Sequence, residues 1–223
     1  MNEGPVILLA SNSPRRRELI ALGNWTFRAS APDVDENQRT GESPANYVLR
    51  LAEAKARASL ANAGQTLVIV AADTAVVFDG TIHGKPRDAA DAVHMLKRLR
   101  AHTHQVYTGL AALKTSTRQL LTDLCVTDVP MRNYTDAAIE TYVQTGDPLD
   151  KAGAYAIQHL QFKPVESMSG CYASVMGLPM CHLVRLLARM DISPNANVPA
   201  NCQTTYHYSC PVSSAILRGE QVG

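Results

Sequence analysis

Asp73 stands where the most hydrophobic run of the chain, Leu67-Val68-Ile69-Val70-Ala71-Ala72, stops. The run is short, rich in β-branched residues and bounded by polar ones, which predicts a strand buried on both faces. A carboxylate at the carboxyl end of such a strand lies where open α/β sheets keep their ligands, although a turn-forming Asp fits the same pattern. Arg15-Arg16-Arg17 follows Ser11-Asn12-Ser13-Pro14 at a helix start. Cations in a first turn oppose the helix dipole, yet with the free N–H groups they make an anion site. A solvated basic cluster is the plainer alternative. Asp33, Asp35 and Glu36 crowd one polar loop. They repel one another unless a cation sits among them, and a hard divalent metal takes such oxygens. An exposed acidic loop is the commoner outcome. Lys55 falls on the apolar face of a helix, after Leu51, so it either snorkels to solvent or projects into a cleft. Gly84-Lys85-Pro86 is a rigid turn that presents a second lysine.

The elements that must hold these groups follow in order. Pro5 to Ala10 reads as a first strand, and Ser13 and Pro14 as the N-cap and first residue of a helix ending near Gly23. Thr26 to Ser30 fits a second strand, and residues 32–41 a polar loop. Ser43-Pro44 opens a second helix with Tyr47, Val48, Leu51, Lys55 and Ala58 on one stripe, closed by Asn62-Ala63-Gly64. After Asp73, Val76 to Phe78 reads as a separate short strand, with a hairpin signal at Asp79-Gly80. Asp88 caps a third helix with Ala92, Met95, Leu96 and Leu99 inward. Gln105 to Leu113 and Leu120 to Pro130 pair as a hairpin, and Thr135 caps a helix to about Thr145. Ala154 to Ile157, ending in Gln158, and Phe162 to Glu166 read as short strands. Gly177-Leu178-Pro179 opens a last helix, Met180 to Met190. Residues 191–223 lack periodicity and read as a poorly ordered extension. Cys202, His207 and Cys210 there give only a weak metal signal.

The 223 residues suit one large α/β domain or two small lobes, and 46% hydrophobic residues support a core. A net charge of +1 gives no reason to expect nucleic acid or a membrane surface as partner. No stretch approaches the ~20 apolar residues of a membrane span. Five cysteines without a C-x-x-C pair suggest reduced thiols and a cytoplasmic location.

Leu9-Ala10-Ser11-Asn12-Ser13-Pro14-Arg15-Arg16-Arg17-Glu18-Leu19 resembles the opening motif of the Maf family of nucleoside triphosphate pyrophosphatases. Ala72-Asp73-Thr74, Gly84-Lys85-Pro86, His104-Gln105-Val106-Tyr107-Thr108-Gly109, Asp150-Lys151-Ala152-Gly153-Ala154-Tyr155 and Val175-Met176-Gly177-Leu178-Pro179 resemble its later blocks, in order. The resemblance spans roughly Val6 to Met190, so residues 1–190 form the expected domain and 191–223 the divergent extension. It implies an inosine-triphosphatase-like α/β fold, with a strongly curved mixed sheet, flanking helices and a cleft between two lobes. It also implies hydrolysis between the α- and β-phosphates. Asp73 then matches the proton acceptor, and Glu36 and Asp73 are the ligands expected for Mg²⁺ or Mn²⁺. Arg15, Lys55 and Lys85 supply positive charge for the phosphates, and Ser13 belongs to the phosphate-facing turn. The departures are Asn12, Ala72 and Ala156, none of which removes a needed charge.

The family divides at positions that here are Arg15, Thr74 and Gln158. This combination resembles the branch acting on dTTP and UTP, including modified uridine triphosphates, as house-cleaning enzymes. The amide of Gln158 donates and accepts, as a pyrimidine's N3–H and carbonyl edge requires. The alternatives are a pyrophosphatase for 7-methyl-GTP and a non-enzymatic nucleotide-binding regulator of cell division. A homodimer is left open.

Overall fold

The computed structural model describes residues 6–223. Its centre is a mixed sheet in the order β2-β1-β3-β5-β6, with β4 paired to β3. β1 (Ile7–Leu9) runs parallel to β2 (Phe27–Ala29) on one side and to β3 (Val68–Phe78) on the other. The expected first strand is therefore shorter than predicted, and Pro5 lies outside the described residues. β5 (Thr103–Lys114) pairs antiparallel along nearly the whole of β3, and β6 (Leu120–Pro130) along β5.

This register corrects the prediction around Asp73. Asp73 does not end a strand, and Val76 to Phe78 is not a separate one; β3 continues through both. The cause is β5, which supplies a ladder partner from Val68 to Val77. The other edge of β3 is discontinuous. β1 covers Val68 to Val70 and β4 (Thr81–His83) covers Val76 to Phe78. Between them the edge from Ala71 to Ala75 is left open, and this gap forms the floor of the cleft.

The helix starts follow the local signals. Ser13, Ser43, Asp88 and Thr135 each accept a backbone N–H at the head of α1 (Pro14–Ala21), α2 (Pro44–Ala58), α3 (Ala89–Leu99) and α4 (Asp136–Gln144). α2 packs on the sheet where Gly109 lies. A Cβ there would come 2.7 Å from the backbone carbonyl of Val48, so only glycine allows this approach. α5 (Tyr172–Val175) and α6 (Met180–Ala188) cover the opposite face, where Leu9, Val70, Leu110 and Leu183 are buried together. A separate cluster, with Val76, Leu96, Val106, Ile139 and Phe162, packs the far end of β3 and β5 against α3 and α4. The cleft lies between these apolar masses.

Two short strands expected in the sequence are absent. Ala154 ends a 3-10 turn, Ala152–Ala154, and the backbone from there to Gln158 is irregular; Gly153 and Ala154 take positive φ values of 69° and 61°, which break an extended run. Phe162 to Glu166 makes only an isolated bridge, Met131 to Val165. The extension also differs from expectation. It folds into α7 (Val198–Tyr206) and α8 (Ser213–Leu217), and Val198 and Ile216 are buried. Asn201 Nδ2 donates to Leu22 O at 3.0 Å, tying α7 to the end of α1. These helices are too short to show a clear apolar period in sequence.

Candidate active site

The cleft has a volume of about 730 Å³, and Ser13, Arg15, Glu36, Lys55, Asp73, Thr74, Lys85 and Gln158 all line it. Residues from Ser13 to Gln158, far apart in the chain, thus meet in one place. Asp33 and Asp35 of the acidic loop do not line it. Asp35 instead accepts from the Asn37 backbone at 3.0 Å and side chain at 2.7 Å, closing a local turn.

Lys55 is the electrostatic centre. It is 9% exposed and does not snorkel out. Its Nζ lies 2.6 Å from Asp73 Oδ1 and 2.6 Å from Glu36 Oε1. Asp73 is 7% exposed, and burial pushes its carboxyl above the usual range, against the opposing pull of Lys55 and Arg16. Glu36 goes the other way. Its partial burial would raise it, but the hydrogen bond and charge of Lys55, with help from Lys85 and Arg16, hold it below the ordinary value. Two carboxylates near one another are therefore tuned apart by environment.

The basic helix start delivers its residues unequally. Arg15 lines the cleft, with Nη1 3.9 Å from Asp150 Oδ2, while Arg17 is exposed and donates to Asn12 at 3.4 Å. The residue missed in the sequence is Arg16. Its Nε donates to Gly177 O at 2.8 Å and its Nη2 to Thr74 Oγ1 at 3.2 Å. Gly177 has φ 107°, and a Cβ there would lie 3.3 Å from both Arg16 Nε and Thr74 Oγ1. Helical spacing carried the signal, since Arg16 shares a face with buried Leu19 and Ile20. Lys151 was also missed as a lining residue; its Nζ is held by Asp147 and by Asp150 Oδ1 at 2.6 Å.

Gln158 borders the cleft from irregular backbone, not from the end of a strand. Among the described residues no group of three or more His, Cys, Asp or Glu is arranged to hold a metal, the Cys202, His207 and Cys210 trio included. The pair Glu36 and Asp73 nevertheless suits Mg²⁺ or Mn²⁺. Both carboxylates already converge on a cation, and such metals commonly take one or two carboxylates plus substrate phosphates.

The mixed α/β sheet thus opens onto a cleft lined by arginine, lysine and paired carboxylates, side chains able to meet a charged phosphate ester. The Maf-like protein family model matches residues 6–190, and the chain belongs to that family. Among its relatives, the dTTP/UTP pyrophosphatase of Escherichia coli O157:H7 is 43% identical over 185 residues, 83% of this chain and 93% of the relative. The dTTP/UTP pyrophosphatase of Geotalea uraniireducens (strain Rf4) is 44% identical over 184 residues, 82% and 94% of the two chains. Solved structures are more distant. The nucleoside-triphosphatase / dITP/XTP pyrophosphatase of Mycobacterium abscessus has a TM-score of 0.40 at 16% identity, covering 82% of this chain and 93% of that one. The Ham1 protein of Staphylococcus aureus has a TM-score of 0.43 at 13% identity, covering 90% and 97%. Residues 191–223 lie beyond the family match, and no helix of the described chain is long and apolar enough to cross a membrane.

Proposed function

We propose that this chain hydrolyses dTTP and UTP, together with modified uridine triphosphates, to the nucleoside monophosphate and pyrophosphate. The observation that carries the proposal is the Glu36–Lys55–Asp73 array in a cleft also lined by Arg15 and Lys85. The names of the relatives at 43% and 44% identity support the substrate assignment.

Phosphoryl transfer is mostly positioning and charge neutralisation. Arg15, Lys85 and the Ser13 turn at the head of α1 hold the triphosphate. Asp73 accepts the proton of the attacking water, and its raised pKa suits that task because a stronger base takes the proton more readily. Lys55 keeps Asp73 and Glu36 oriented and meets the phosphates. Glu36 and Asp73 would hold a divalent cation, which supplies positive charge against the charge developing on the phosphate oxygens. Thr74 and Gln158 face the remainder of the nucleotide and, together with the identity of Arg15, set base choice.

The test is a nucleotide panel with pyrophosphate detection, with and without EDTA. Release of pyrophosphate from dTTP and UTP, lost with EDTA and restored by Mg²⁺ or Mn²⁺, is the expected result. Preference for 7-methyl-GTP overturns the base assignment. Nucleotide binding without turnover of any triphosphate overturns the enzyme assignment.

A further inference from the structure

Thr108 lies directly opposite Thr74 in the β3–β5 ladder. It is wholly buried, so all its hydrogen bonds are made inside the protein. Its Oγ1 donates to Ser174 O at 2.9 Å and lies 3.0 Å from Thr74 Oγ1. A threonine hydroxyl has one proton, and a carbonyl oxygen only accepts. The proton of Thr108 is therefore committed to Ser174, and in the contact between the threonines Thr108 is the acceptor. Thr74 must be the donor. Thr74 Oγ1 in turn accepts from Arg16 Nη2 at 3.2 Å, and Arg16 is held from its other side by Gly177 O. The chain of donors has one direction, from Arg16 to Thr74 to Thr108 to the Ser174 carbonyl.

We propose that Thr108 is a positioning residue that turns Thr74 into a pure acceptor on the cleft wall. With its proton given to Thr108 and one lone pair taken by Arg16, Thr74 has a single lone pair left for a ligand. It complements an N–H donor and opposes an unprotonated acceptor. On the pyrimidine reading above, on which this inference rests, the complementary group is the imide N3–H of uracil or thymine, which leaves the Gln158 amide to donate to a base carbonyl. The N3 of cytosine offers a lone pair instead and is met by another lone pair. Base selectivity thus depends on a hydroxyl that the nucleotide never touches.

Binding of UMP and CMP by calorimetry reads this preference without any turnover, so it remains decisive even if the parent hydrolyses nothing. The parent should bind UMP more tightly than CMP. Thr108→Val keeps the shape but removes the acceptor and frees the Thr74 proton, and should cut the UMP-to-CMP affinity ratio about tenfold. Thr108→Ser restores the hydroxyl and should restore the ratio, which a merely structural role for Thr108 would not require. Thr74→Val removes the lone pair itself and should abolish the preference, a second arm that holds if Thr108→Val does not fold. A parent without preference overturns the proposal. So does a folded Thr108→Val with the parent's ratio, or a Thr74→Val that keeps the preference. If UMP is preferred as described but UTP and dTTP release no pyrophosphate, the enzymatic assignment fails and this inference stands.

Discussion

Lys55 Nζ and Asp73 Oδ1 lie 2.6 Å apart across the join between α2 and β3. Neither element sets that distance alone. α2 reaches the sheet closely because Gly109, the ladder partner of Asp73, leaves room for the Val48 carbonyl. The ion pair is nearly sealed from water, so each charge depends on the other being present.

Asp73→Asn keeps the size of the side chain and removes its charge. If Asp73 is the base, kcat for pyrophosphate release from dTTP should fall on the order of 10²-fold or more. Turnover at the parent rate by a folded Asp73→Asn protein would rule out that role.

Lys55 and Lys85 should separate in their effects. Lys85 is exposed, and Lys85→Ala should weaken transition-state binding by about 1.5–3 kcal/mol with little change in thermal stability. Lys55→Ala should lose activity and stability together, since it leaves Asp73 buried without its counter-ion. Parallel measurements of kcat/KM and Tm check this. An unchanged Tm in Lys55→Ala would mean that Asp73 finds another partner.

Gln158→Glu should lower kcat/KM for dTTP, because a carboxylate cannot donate to a base carbonyl and must shed its hydration. A buried mismatch costs about 1–3 kcal/mol, so CTP should trail UTP by roughly 5- to 150-fold in the parent. Steady-state kinetics on dTTP, UTP, CTP, GTP and 7-methyl-GTP decide both points. An unaltered profile in the mutant would place base recognition elsewhere.

A chain ending at Asp191 should be less stable than the full chain. It loses the buried side chains Val198 and Ile216 and uncovers Cys171 and Cys181, which line a small cavity closed by the extension. Burial of each large aliphatic side chain contributes about 1.5–3 kcal/mol, so the fall in Tm should be several degrees. An equal Tm for both chains would show that α7 and α8 do not stabilise the body.

The extension should also loosen at alkaline pH. His182 Nδ1 lies 3.2 Å from Asp123 Oδ2, and Nε2 donates to Val222 O at 3.1 Å. Burial would lower the His182 pKa, but the bonds to Asp123 and Cys125 outweigh it and raise it to about 9. Arg185 Nη2, 3.1 Å from the same Nδ1, works against part of this. A raised folded-state pKa means that the contribution is complete below about 6.5 and is lost as pH rises through about 9. It amounts to on the order of 1–3 kcal/mol. Urea unfolding from pH 6 to 10 should show the loss, and His182→Gln should flatten it. A stability that rises with pH over that range would contradict the assignment.

Local chemistry in the sequence determined a good deal. Caps at Ser13, Ser43, Asp88 and Thr135 mark helix starts because a side-chain oxygen satisfies an N–H only a few residues away. The hairpin after Asp79-Gly80 and the pairing of β5 with β6 are legible for the same short-range reason. Lys55 on an apolar stripe had no local purpose, but the sequence left it free either to snorkel to solvent or to enter a cleft. Tertiary structure alone decided how those residues meet. The continuation of β3 past Asp73 depends on β5, and the opening at its other edge depends on where β1 stops and β4 begins. The choice of Arg16 over its neighbours as Thr74's partner required Gly177, from a segment far along the chain. Thr108 reads in sequence as one more strand residue, because its two partners come from β3 and α5. The packing of the extension was hidden for a related reason. Helices as short as α7 and α8 are held by the surface that they cover, and that surface is written elsewhere in the chain.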